Sequence, residues 1–118
     1  LETPDGWIVG APDDDATDGK WFHADPLGSK AQPEDDHSFP GTRCWFTKQG
    51  FSGATAGSHD VDAGKTTLTS PPLDTTGLAN PFVSYWRWYS NNQGTVQDDV
   101  FTVQVASNAG GPWVTVET

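Results

Sequence analysis

Two long stretches of the chain contain neither glycine nor proline, Phe82–Gln93 and Thr95–Ala109, and in both the apolar positions recur every second residue. In the first, Phe82, Ser84, Trp86 and Trp88 fall on one face and Val83, Tyr85, Arg87 and Tyr89 on the other. In the second, Phe101, Val103 and Val105 oppose Thr102, Gln104 and Ala106. A period of two is that of a strand, whose successive side chains point to opposite faces, and not that of a helix. Asn91, Asn92 and Gly94 supply turn chemistry between the two stretches, so they are expected to lie as antiparallel neighbours. The run Ser107–Pro112 makes the next turn and leads into a strand over Trp113–Val116.

Upstream, Trp7–Val9, Trp21–His23, Cys44–Thr47 and Thr66–Leu68 read as short strands, each bounded by Gly, Pro or Asp. Gly and Pro, 13 and 9 residues, recur too often for a helix of ordinary length. The expectation is an all-β domain spanning 1–118, an antiparallel β-sandwich of jelly-roll type in which two sheets bury their inner faces. The loops 12–19, 25–41 and 49–64 are long for so small a domain, and long ordered loops carry function or an ion. The chain closes directly after a strand, so the sandwich is expected to lack its last strands as the fragment of a larger secreted protein. No apolar run approaches the roughly 20 residues that span a bilayer.

Composition changes this picture in two ways. Leu, Ile, Val and Phe supply only 21 of 118 residues, so the core depends on the six Trp. Each buries on the order of 150–250 Å². Sixteen acidic against six basic residues give a net charge of −10, a field that repels phosphate and argues against nucleic acid and anionic membranes as partners. The single cysteine, Cys44, excludes an internal disulfide and reads as a buried small hydrophobe. His23, His37 and His59 lack metal-ligand spacing, and no serine or cysteine sits in a nucleophile elbow, so the chain is read as non-enzymatic.

The acids are 13 Asp to 3 Glu and gather in three clusters: Asp13-Asp14-Asp15, Glu34-Asp35-Asp36 and Asp60-Val61-Asp62. Calcium takes six to eight oxygens from carboxylates and loop carbonyls. The three clusters are therefore candidates to hold calcium, with the Asp60-x-Asp62-x-Gly64 spacing like the opening of a calcium loop, against the plainer reading of solvated loop tips. On the aromatic strand, Phe82, Trp86 and Trp88 are expected to face the core with Phe101, Val103 and Val105, which leaves Tyr85, Arg87 and Tyr89, with Gln104 beside them, as a candidate ligand face that could stack a sugar ring or dock a neighbouring domain. Ordinary cross-strand pairing is the plainer reading of the same residues.

The stretch Lys65–Asp74, then Leu78, Asn80-Pro81 and Tyr85-Trp86-Arg87-Trp88-Tyr89-Ser90, resembles the MAM-like jelly-roll domains appended to secreted bacterial peptidases of the immune inhibitor A and zinc carboxypeptidase types. The resemblance extends to Gly6-Trp7, Gly10–Asp15, Gln32–His37 and Ser107–Trp113. It implies a secreted, calcium-stabilised, non-catalytic accessory domain of a hydrolase or cell-surface protein, whose partner is an adjacent domain of the parent. A carbohydrate-binding module that uses Tyr85, Arg87 and Tyr89 on a polysaccharide or protein ligand is the alternative. The resemblance places the cation in the loops that carry Asp35, Asp36, Asp60 and Asp62, with Asp13, Asp14 and Asp15 as a second set.

Overall fold

The structure, a computed structural model, describes residues 2–93, 97 and 99–118. Gly94 of the expected turn, Thr95 and Val96 at the head of the second alternating stretch, and Asp98 lie outside the described residues. Among those described there is no helix, and hence none long and apolar enough to cross a membrane. The strands pair antiparallel, two by two: β1 (Ile8–Val9) with β4 (Leu68–Thr69), β2 (Trp21–Ala24) with β3 (Cys44–Thr47), and β5 (Val103–Val105) with β6 (Val114–Glu117). The chain is thus all-β, built from short strands in three small sheets. It divides between Pro71 and Pro72 into two compact units.

The first unit holds β1 to β4. In the β2–β3 ladder Phe22 lies opposite Phe46 and His23 opposite Trp45. The Phe rings meet edge to face at 5.8 Å and the His23 and Trp45 rings at 5.1 Å, the cross-strand contacts that stabilise a short hairpin. Phe46 is buried with Ala16 and Ala54, and Pro26 is the most enclosed side chain. The Trp7 ring reaches Trp45 at 5.8 Å, and Trp21 Nε1 donates to the Thr66 carbonyl at 3.1 Å. Indoles therefore tie both sheets of this unit together.

β2 and β4 each run one residue past the expected end, to Ala24 and Thr69, and β6 lies one residue beyond the expected Trp113–Val116; two strands of the first unit also start late, each because a backbone N–H is used elsewhere. Trp7 N–H donates to the Pro4 carbonyl at 3.1 Å, so β1 starts one residue late. Thr67 N–H is taken by the Asp14 carboxylate at 2.6 Å, so β4 begins at Leu68 and not at Thr66. The long loops are held by side-chain amides: Gln32 Nε2 donates to Gln49 Oε1 at 2.8 Å, and Gln49 Nε2 to the Asp25 carbonyl at 2.7 Å.

The second unit, from Pro72, holds the β5–β6 hairpin. Asn108 builds its turn by accepting from Gly110 N–H on its side chain and from Gly111 N–H on its carbonyl, with Gly111 at φ +82°. Val103 opposes Glu117 while Gln104 opposes Thr115, a one-residue bulge. The expected strand over Phe82–Gln93 is not among the strands, and the expected core face is overturned. Phe82 is 88% and Trp86 74% exposed, and only Trp88 is half-buried. Alternation specifies which residues share a face; a second layer decides which face is buried. In this unit the layer beside the segment is β6 and Phe101, and it meets the other face.

Candidate functional site

The structure brings two of the three acidic clusters side by side. The loop 13–18 runs antiparallel to 60–67, through Asp15 and Ala16 N–H to the Lys65 carbonyl and Thr17 N–H to the Asp62 carbonyl, with a bridge between Asp18 and Asp62. Two glycines make this approach possible. A Cβ on Gly19, at φ +73°, would stand 2.2 Å from the Asp60 carbonyl oxygen, and one on Gly64 2.7 Å from the Ala16 nitrogen. Any larger residue would force the loops apart.

Within the loop pair the first cluster is already engaged. Asp13 pairs with Lys65 Nζ at 2.5 Å, and that bond holds its carboxyl below the usual range. Asp14 is pushed up by burial, but Thr67, donating from Oγ1 and N–H at 2.6 Å each, outweighs this and leaves it lowered. Asp15 Oδ1 accepts Lys65 N–H at 2.9 Å. Beside them Asp18 is ion-paired with Lys48, which lowers it in turn. The carboxylates of Asp60 and Asp62 have no hydrogen-bond donor among the described residues; Asp62 contributes its carbonyl, to Thr17 N–H and Oγ1.

Glu34-Asp35-Asp36 belongs to a separate loop of the same unit. Asp35 takes a left-handed φ of 64°, and Asp36 Oδ1 accepts Ser38 N–H at 2.8 Å, an Asx turn. Among the described residues no three His, Cys, Asp or Glu side chains assemble as a metal-binding group. An ion that recruited Asp13 to the loop pair would have to displace Lys65. Burial, followed by the charges of Asp36, Asp25 and Glu2, pushes the Cys44 thiol up to about 11, which keeps it protonated and unreactive at neutral pH.

In the second unit the expected ligand face turns toward the hairpin. The Tyr85 hydroxyl donates to Glu117, which is also ion-paired with Arg87. The Arg87 guanidinium lies over the Phe101 ring, 5.1 Å from its centre. Tyr89 packs on Phe101 at 6.1 Å, and its hydroxyl donates to the Asp99 carbonyl, as does Asn91 Nδ2. Phe101 therefore sides with Arg87 and Tyr89, not with Phe82 and Trp86 as its alternation had suggested.

These contacts frame an open concavity of about 410 Å³ lined by Arg87, Tyr89, Asp99, Val100, Phe101 and Thr118. Gln104 does not line it; its Nε2 donates to Thr115 Oγ1 across the hairpin at 3.2 Å. Asp99, Val100 and Phe101 were missed as site residues because an aromatic at an alternating position reads equally well as core. Pairing Phe101 with the Tyr85–Tyr89 parity would have found them.

Elsewhere, Ser58 Oγ and His59 Nδ1 lie 2.9 Å apart on an exposed loop. Ser58 Oγ also donates to the Thr55 carbonyl, while the His59 ring stands edge-on to Phe51. No family model, curated protein or solved structure matches the chain.

Proposed function

We propose that the chain is a non-catalytic accessory module of a secreted hydrolase, of jelly-roll type and peptidase-associated as its sequence resemblance implies, which acts by presenting a binding surface. The observation that carries this reading is the concentration of solvent-facing aromatic and apolar side chains in the second unit: Phe82, Val83, Trp86 and Val100 are each about two thirds exposed or more. Soluble proteins rarely leave such groups uncovered except where something docks. Calcium belongs to this reading as an expected stabiliser of the loop pair, in competition with Lys65.

The test is turnover. The purified chain is expected to hydrolyse neither casein nor nitrophenyl esters and glycosides. Ser58 and His59, side by side at 2.9 Å, are the residues through which the reading could fail, although the Ser58 hydroxyl gives its proton to the Thr55 carbonyl and not to His59. Turnover that disappears in Ser58→Ala or His59→Ala would make the chain an enzyme and overturn it.

A further inference from the structure

We propose that the concavity of the second unit binds a neutral polysaccharide, with a sugar ring seated against Tyr89 and Phe101 between Arg87 and Asp99. This rests on the accessory-module reading and gives it a site, the concavity, which shares Val100 with the exposed apolar surface.

Three features of the concavity point to a sugar. The first is its pairing of two aromatic rings with both a donor and an acceptor. Sugar rings carry an apolar C–H face and a rim of hydroxyls that each donate and accept, so they need an aromatic platform flanked by both kinds of group. Tyr89 and Phe101 supply the platform. Arg87 brings five N–H donors, of which the ion pair with Glu117 uses only part. The Asp99 side chain is an acceptor with no partner among the described residues, because Tyr89 and Asn91 bond to its backbone carbonyl instead.

The second feature is rigidity. Arg87 is held by Glu117 on one side and by the Phe101 ring on the other, and Tyr89 is anchored through its hydroxyl. Side chains already immobilised lose little further freedom when a ligand arrives. The third is charge: at −10 the chain repels polyanions, which sets acidic glycans aside, and a cationic glycan would meet the Arg87 guanidinium at the site. The site is also open to solvent rather than enclosed, which suits a ring within a long chain.

The experiment is affinity electrophoresis of the intact chain through native gels that contain galactomannan, xyloglucan or laminarin, with polygalacturonate and glycol chitosan as charged controls. At least one neutral polysaccharide should retard the wild type. Asp99→Asn keeps the carbonyl that Tyr89 and Asn91 use, and should weaken the retardation about tenfold, the effect of one lost charge-assisted hydrogen bond. Tyr89→Ala, checked for folding by near-ultraviolet circular dichroism, should abolish it. Phe39→Ser, in the first unit and 99% exposed, should leave it intact.

Retardation by none of the neutral glycans overturns the proposal. So does retardation by a charged polymer alone, or one that survives both Asp99→Asn and Tyr89→Ala. The two readings fail separately: absent retardation without turnover removes only the sugar site, whereas retardation accompanied by glycoside hydrolysis removes the non-catalytic reading and keeps the site.

Discussion

Asp14 accepts two hydrogen bonds from Thr67, one from its N–H and one from its hydroxyl, each 2.6 Å long. The pair joins residues 53 positions apart and sets where β4 begins. Thr67→Val keeps the shape and the N–H bond but removes the hydroxyl. It should cost about 1 kcal/mol, read as a lower urea midpoint at pH 7.

The same carboxylates give stability an acid limb. Asp13, Asp14 and Asp18 all have lowered folded pKa values. Groups depressed in the folded state contribute stability that is complete above their unfolded pKa, about 4, and is lost as pH falls through the lower folded values. Urea midpoints measured from pH 6 down to pH 2 should therefore hold above pH ~4 and drop below it. In Thr67→Val the drop should be smaller, because Asp14, with one donor fewer, is depressed less and contributes less to it.

Close approach of the acidic loops depends on Gly19. A Cβ there meets the Asp60 carbonyl and the Val61 Cα at 2.2 and 2.3 Å, backbone atoms that cannot step aside. Gly53 has a similar φ, +78°, with nothing within 4 Å of an added Cβ. Gly53→Ala should cost only the left-handed backbone strain, about 1–2 kcal/mol. Gly19→Ala adds the steric term and should be clearly worse in the same denaturation assay. Equal losses would show that the loops lie further apart.

Strand identity was legible where local chemistry and tertiary pairing agree. Cys44–Thr47 is read correctly to the residue because alternating bulky side chains face a matching strand across a hairpin. The end of Thr66–Leu68 was not legible, because the carboxylate that takes Thr67 N–H lies far away in sequence. Phe82–Tyr89 shows the limit of periodicity most clearly. Tyr85, Arg87 and Tyr89 do share a face, but that face is defined by Glu117 and Phe101, and no pattern within the segment specifies them. The acidic clusters were legible as charge; that Lys65 and Thr67 occupy the first of them was not, since short-range spacing carries no record of the opposing loop.

Tyr85 offers a direct check on the second unit. Its hydroxyl donates to Glu117, which raises its pKa above the ordinary tyrosine value, with burial adding to the effect. The chain has two tyrosines, so in Tyr89→Phe the ultraviolet signal of tyrosine ionisation comes from Tyr85 alone. That signal should rise above pH ~10, the ordinary midpoint. Adding Glu117→Gln should bring it back down. Because the raised value favours the neutral phenol, this contact stabilises the unit below pH ~10 and is lost as pH climbs past it. A Tyr85 midpoint unaffected by Glu117→Gln would show that the two side chains do not meet.

Calcium is the last test, and the loop pair fixes what it can show. Asp60 and Asp62 have carboxylates without donors among the described residues, and they face the segment that carries Asp15 and Asp18. An ion there would compete with Lys65 for Asp13. Binding to the folded state alone adds about 2.7 kcal/mol at a hundredfold excess over Kd. The melting temperature should therefore rise between excess EDTA and millimolar calcium. Asp60→Asn and Asp62→Asn should remove most of the rise; Asp62→Asn leaves the carbonyl that Thr17 uses in place, so the loss reports the carboxylate and not the loop contact. Lys65→Met frees Asp13 and should enlarge the rise by removing the competitor. Identical melting in calcium and EDTA, in both the wild type and Lys65→Met, would mean that lysine and amide donors alone hold these loops together.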